Sequence, residues 1–270
     1  MSPELMPLLP LLLSAAALGL LIGTLSGMFG VGGGSLMVPF LHLVFGLPML
    51  NASATSLFAV VPTSLSGAVR HIRQKTVDIR EAFCFGIPGA AASMVSAGVV
   101  GMFPEIVILV ITVLVILLCA LRVFSEALKK PLGSDGRTSA ARFKSPQAAM
   151  AASMAVGLVA GFIAGIVGIG GGFIIVPFGV SLLGKTMKEI SAISLLAIAI
   201  IALPGIIVHA VFSHIEYLYG LALIVGTIPG ASFGVWLLPR IPEKALRISF
   251  GCLLVISGII LIVNKVVVLA

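Results

Sequence analysis

The stretch GMFGVGGGSLMVPF spans residues 27–40, and GIVGIGGGFIIVPF spans residues 165–178. Each sets three consecutive glycines among apolar residues and closes on Pro-Phe. A glycine inside a helix costs about 1 kcal/mol relative to alanine, so three in succession predict a break in a helix. The second phrase follows the first by 138 positions, which makes the chain an internal duplication.

Working outward, the register holds on both sides. Gly19, Gly23 and Gly27 match Gly157, Gly161 and Gly165. Downstream, Ser53, Ala54, Ser56, Leu57 and Ala59 match Ser191, Ala192, Ser194, Leu195 and Ala197, and Leu65, Gly67 and His71 match Leu203, Gly205 and His209. After three extra residues in the second copy, Ile87-Pro-Gly-Ala90 matches Ile228-Pro-Gly-Ala231. The offset then returns to 138 where Pro104-Glu105 matches Pro242-Glu243.

Of the 270 residues, 60% are hydrophobic and only 9% charged, against about 25% charged in a soluble domain. Mean hydropathy is +1.27. Such a chain cannot cover itself with polar groups in water, and its apolar runs approach the roughly 20 residues that cross a bilayer. The composition predicts an all-α polytopic membrane protein. The net charge of +7 does not point to nucleic acid, because the basic residues sit in short clusters between apolar runs, where they act as topology signals. Cys84, Cys119 and Cys252 lie inside apolar runs without C-x-x-C spacing and read as packing residues. The N-terminal MSPELMPLLPLLLSAAALGL lacks a basic n-region, since the first Lys or Arg is Arg70, so it reads as a retained membrane segment.

Ten apolar stretches are expected: 5–28, 35–47, 52–70, 82–102 and 104–125, then 148–168, 173–184, 190–212, 216–238 and 244–264. Five per copy is odd, so the second copy enters the membrane upside down. With every stretch crossing, Arg70, Arg73, Lys75, Arg80, Arg122, Lys129, Lys130, Arg137, Arg142, Lys144, Lys185, Lys188, Arg240 and Lys244 share one side, and Lys265 falls opposite. The positive-inside rule then sets both termini outside. A rival with each glycine phrase as a re-entrant hairpin gives two parallel repeats and puts Lys185, Lys188, Arg240 and Lys244 outside. Charge bias favours ten segments in two inverted repeats with glycine-broken helices. The second stretch covers only about 20 Å of a roughly 30 Å core and reads as a half-helix. The expected units are residues 1–126 and 148–270, joined by a basic cytoplasmic linker at 127–147.

The stripes Gly19-Gly23-Gly27 and Gly157-Gly161-Gly165 fit close helix packing. The triplets differ, because non-helical backbone inside a membrane survives only where it lines a cavity or is buried in protein. A helix starting after the triplet, at Ser35 or Phe173, directs unpaired N–H groups and a positive dipole end into that space, which is an anion site without a charged side chain. The predicted substrate-binding set is Gly32, Gly33, Gly34, Ser35, Thr55, Ser56, Gly170, Gly171, Gly172, Ser191 and Ser194, with Asn51, Ser53 and Glu189 beside it. His42, in the short second stretch, is the candidate proton-sensitive residue. His71 and His209 read as helix-end caps or interfacial anchors. Neither glycine phrase carries the Lys-Ser/Thr of a nucleotide loop, and Ser64-Leu-Ser66-Gly67 before His71 lacks its counterpart in Ala202-Leu-Pro204-Gly205. No enzyme activity, metal or cofactor is expected.

The duplicated glycine phrase, the small and hydroxyl-rich helix after it and the IPGA in each half resemble the TauE/SafE permeases over residues 15–260. The resemblance implies a transporter of sulfur-containing anions, with sulfite and sulfoacetate export the roles for which that family is named. The expectation is an inner-membrane exporter of sulfite, sulfoacetate or a related sulfonate working by alternating access. Its partners are the small sulfur anion and the bilayer, with room for a homodimer. An anion channel and a non-transporting membrane scaffold are the alternatives.

Overall fold

The computed structural model describes residues 9–129 and 145–269. Ten α-helices occur among them: α1 Leu9–Phe29, α2 Gly34–Val44, α3 Met49–Arg73, α4 Ile79–Val99, α5 Glu105–Lys129, α6 Pro146–Val167, α7 Gly172–Leu183, α8 Met187–Val211, α9 Tyr217–Leu237 and α10 Glu243–Leu269. All ten expected stretches are helical. Most boundaries agree within three residues, while α10 runs five residues further and the start of the first stretch and the middle of the linker lie outside the described residues. The starts have local causes. Asp78 accepts the Glu81 N–H at the head of α4, and Ser145 accepts the Ala148 N–H ahead of Pro146 in α6. At α8 the Thr186 hydroxyl accepts the Glu189 N–H while the Glu189 carboxylate accepts the Thr186 N–H. That reciprocal cap satisfies two otherwise unpaired donors, so Glu189 closes a helix end and does not line a cavity. α2 stops short of the expected 47 because the Leu47 N–H turns back to the Leu41 carbonyl, 3.3 Å away.

The small-residue stripes find partners across the duplication. Gly19, Gly23 and Gly27 of α1 face Leu223, Thr227 and Ala231 of α9, and a Cβ at Gly23 would stand 2.7 Å from the Thr227 Cα. Gly157, Gly161 and Gly165 of α6 face Phe85, Gly89 and Ser93 of α4 in the same way. Residue numbers rise together on both members, so each pair is parallel. α3 is also parallel to α9, with the Thr63 and Thr227 hydroxyls 2.6 Å apart and the Ser66 hydroxyl donating to the Ile228 carbonyl at 2.9 Å. α4 is parallel to α8, Gly86 meeting Ile200 and Ser93 meeting Gly205. α3 and α8 are antiparallel, Leu57 meeting Gly205 and Leu195 meeting Gly67. Hence α1, α3 and α9 run one way and α4, α6 and α8 the other.

Ion pairs gather several loops at one end. Lys185, after α7, pairs with Glu81 and lies 3.8 Å from Asp78, after α3. The Glu243 carboxylate accepts the Met187 N–H at 2.5 Å and pairs with Arg247 at 3.2 Å. Partly exposed pairs contribute at most about 1 kcal/mol each, so their value here is geometric. Among the described residues, six helices are long and apolar enough to cross a membrane, within Leu12–Phe29, Met49–Arg73, Ile79–Met102, Gln147–Val167, Met187–Val211 and Tyr217–Arg240. Their outer faces carry exposed Leu13, Leu21, Ile87, Val95, Ile207 and Val225, a surface suited to hydrocarbon. The chain is an all-helical, multi-pass membrane protein.

Candidate functional site

The two glycine breaks meet in the interior. Gly32 and Gly33 have φ of +79° and +83°, and Gly170 and Gly171 +80° and +78°, a region that costs other L-residues about 1–2 kcal/mol. This backbone turns the chain from α1 into α2 and from α6 into α7. Gly33 and Gly171 cap the new helices, and their carbonyls accept from Leu36 and Met37 and from Ile174 and Ile175 at 3.0–3.1 Å. The helices therefore begin at Gly34 and Gly172, one residue before the expected Ser35 and Phe173. The N–H groups of Gly34, Ser35, Gly172 and Phe173 have no carbonyl one turn back to receive them.

Each break leans on the other half. A Cβ at Gly34 would lie 2.6 Å from the Ile169 Cα, and one at Gly172 would lie 2.7 Å from the Gly30 carbonyl oxygen. Between them stand two matched side chains: Cβ positions at Gly32 and Gly170 both fall within 2.8–3.1 Å of Val60 and Ile198. These residues are fully buried and sit near mid-length of α3 and α8. At 1.5 Å per residue, the 11 and 12 residues of α2 and α7 reach about 16–18 Å, half a bilayer core.

The predicted hydroxyls act in a way the sequence did not foretell. The Ser53 hydroxyl donates to the Val167 carbonyl at 2.9 Å and Ser56 to the Gly168 carbonyl at 3.1 Å. In mirror fashion Ser191 donates to the Met28 carbonyl at 3.1 Å and Ser194 to the Gly30 carbonyl at 2.6 Å. The first-half serines thus hold the second break, and the second-half serines the first. Their protons satisfy carbonyls that the helix ends leave unpaired, so in this conformation the hydroxyls of Ser56, Ser191 and Ser194 are engaged by the backbone of the opposite break. Thr55 lies apart, its hydroxyl accepting the Glu216 N–H at 3.0 Å.

His42 is also remote: it sits at the far end of α2 from Gly34, and its Nδ1–H donates to the Leu47 carbonyl at 2.7 Å. His71 and His209 do close helix ends, through Thr76 at 2.8 Å and through His214 and the Gly165 carbonyl at 3.4 and 3.3 Å. Residues missed from the sequence are Val60 and Ile198, matched at the same 138-residue offset, and Ser26. The Ser26 side chain is 2% exposed, its Oγ has no hydrogen-bond partner, and its Cβ lies 3.4 Å from a Cβ position at Gly33. Among the described residues, the atoms nearest to a Cβ placed at Gly30, Gly32, Gly33, Gly34, Gly168, Gly170, Gly171 or Gly172 belong to uncharged residues.

The family model described as sulfite exporter TauE/SafE matches residues 15–261. The probable membrane transporter protein YunE of Bacillus subtilis is 28% identical over 90% of this chain and 96% of its own length. YjnA of the same organism, also named a probable membrane transporter protein, is 26% identical over 92% of this chain and 99% of its own length. A probable membrane transporter protein of Methanocaldococcus jannaschii is 26% identical over 96% and 97%. No solved structure matches the chain.

Proposed function

The chain belongs to the TauE/SafE family of membrane transport proteins, and from that premise we propose that it exports a sulfur-containing oxyanion, namely sulfite, sulfoacetate or a related sulfonate, across the inner membrane by alternating access. The observation that carries the reading is the meeting of the two glycine breaks beside Val60 and Ile198. Two helix N-termini open there onto buried backbone, and each directs about half a positive charge and unpaired N–H groups at one region. Gly32, Gly33, Gly34 and Ser35 with Gly170, Gly171 and Gly172 form the site, held in shape by Ser56, Ser191 and Ser194.

Residues 1–126 and 148–270 are inverted repeats in this reading, joined by a cytoplasmic linker at 127–147 with both termini outside. The opposed directions of α1 and α6, of α3 and α8 and of α4 and α9 support it, and parallel repeats would run each pair the same way. The gathering of the loops after α3 and α7 at one end agrees with a single basic, cytoplasmic side. Matched breaks on opposed halves suit alternating access. With the interior negative, each negative charge leaving gains about 2.3 kcal/mol per 100 mV, so export requires no coupled ion.

The test is flux of sulfite and sulfoacetate in proteoliposomes under an imposed potential, for wild type, Gly33→Ala and Gly171→Ala. A Cβ at Gly33 would meet the Met37 Cε at 2.9 Å, and one at Gly171 the Ala160 carbonyl oxygen at 2.9 Å. Saturable, potential-driven flux lost in both folded variants is the expected result. Absence of wild-type flux for both anions refutes the substrate class, and unitary currents far above ~10³ ions per second, the upper range of ordinary turnover, identify a channel.

A further inference from the structure

We propose that Ser26 is the side chain that completes the oxyanion site, so that the first break supplies a hydroxyl as well as backbone N–H groups while the second supplies backbone N–H groups alone. This inference rests on the transporter reading above.

A serine in a membrane helix ordinarily donates to the carbonyl one turn back, as Thr24 in α1 does to Leu20 at 2.8 Å and Ser153 in α6 does to Ala149 at 3.1 Å. Ser26 has that option at Ile22 and does not use it. Its hydroxyl is buried without any partner, an arrangement that disfavours the structure unless something else accepts the proton. Its place in the chain is beside the start of α2. Ser26 lies one turn before the break, its own carbonyl fixed by the Gly30 N–H at 2.8 Å, and its Cβ borders Gly33, the N-cap of α2. Beyond Gly33 stand the N–H groups of Gly34 and Ser35. An oxyanion beside them accepts the Ser26 proton and two backbone protons together.

The second break keeps the backbone features, with the Ala164 carbonyl fixed by the Gly168 N–H at 2.8 Å and Gly171 as the N-cap of α7, but not the hydroxyl. Ala164 stands where Ser26 stands in the first half, and Phe173 stands at the position of Ser35. The backbone turn is duplicated, but the hydroxyl belongs to one copy.

The test measures KM, kcat and thermal stability in detergent for wild type, Ser26→Ala, Ser26→Thr and Ala164→Ser, using whichever of sulfite or sulfoacetate the wild type carries. Losing one hydrogen bond to a charged ligand raises KM about tenfold or more. Ser26→Ala therefore raises KM at least tenfold with melting temperature unchanged or higher, because no protein hydrogen bond is removed. Ser26→Thr retains the hydroxyl and recovers most of the affinity, and Ala164→Ser leaves KM unchanged. A merely structural Ser26 alters stability and not KM. Wild-type flux with an unaltered KM in Ser26→Ala overturns this inference and leaves the transporter reading intact. No wild-type flux of either anion overturns both.

Discussion

Replacing Ser194 by alanine tests whether the cross-half serines hold the glycine breaks. Its hydroxyl donates to the Gly30 carbonyl at 2.6 Å and to the Ser191 carbonyl at 3.0 Å, and Ser194 is fully buried. The Gly30 carbonyl follows the last residue of α1, where no helical N–H remains to receive it, so alanine leaves a buried acceptor unpaired. Orphaning such a group costs about 1–3 kcal/mol. Polar contacts between membrane helices average nearer ~0.6 kcal/mol because the unfolded reference finds partners in the bilayer. We expect about 1–2 kcal/mol, since this acceptor belongs to a broken turn whose own helix cannot satisfy it. At roughly 2–4 °C per kcal/mol for a chain of this size, the melting temperature falls by about 2–8 °C. Ser56→Ala breaks a single bond of 3.1 Å to the Gly168 carbonyl and costs less. The assay is thermal unfolding in detergent followed by fluorescence of Trp236, the one tryptophan. Ser249→Ala is the control, because that exposed serine bonds its own helix at the Ala245 carbonyl. A Ser194→Ala melting temperature equal to that of Ser249→Ala refutes the clamp.

Ile198→Ala removes half of the apolar pair between the breaks; the cavity lowers stability by about 2–4 kcal/mol and raises basal anion leak, both read on the same purified sample. Gly161→Ala drives a methyl group into the Gly89 backbone and prevents α6 from seating on α4, whereas Gly98→Ala, with nothing within 4 Å of the new carbon, is neutral or stabilising by up to about 1 kcal/mol; melting temperatures separate the two. Burial holds His214, in the loop between α8 and α9, below the ordinary imidazole value of 6.5. The unfolded chain therefore binds the extra proton first as pH falls, so His214 withdraws stability below about pH 6.5 and not above it. His214→Asn reduces the difference in melting temperature between pH 7.5 and pH 5.5, and an unchanged difference refutes this assignment.

Much of the helix plan is legible in the sequence because it depends on local signals. Apolar runs give the ten helices, and the glycine triplets give the two breaks to within one residue. The pairing of those helices is not legible. The stripe Gly19-Gly23-Gly27 announces a close partner, but small-residue spacing carries no address, and the partner is α9, some 200 residues on. The matched IPGA segments have the same history: Gly89 and Gly230 make room for α6 and α1, a purpose visible only once the helices are assembled. The partners of the hydroxyls are hidden for a related reason. Ser56 and Ser194 are matched and buried, as site residues would be, yet their acceptors are carbonyls of the opposite half. Ser26 escaped notice because its partner position in the second copy is Ala164, and matching between copies hides a residue that only one copy carries.

The most direct test is anomalous diffraction from crystals grown with selenite, a heavier analogue of sulfite. The account predicts one selenium peak beside Gly33, with its oxygens about 2.7–3.2 Å from the Gly34 and Ser35 nitrogens and the Ser26 hydroxyl. A peak at the basic loops instead, or an empty first break at saturating selenite, contradicts it.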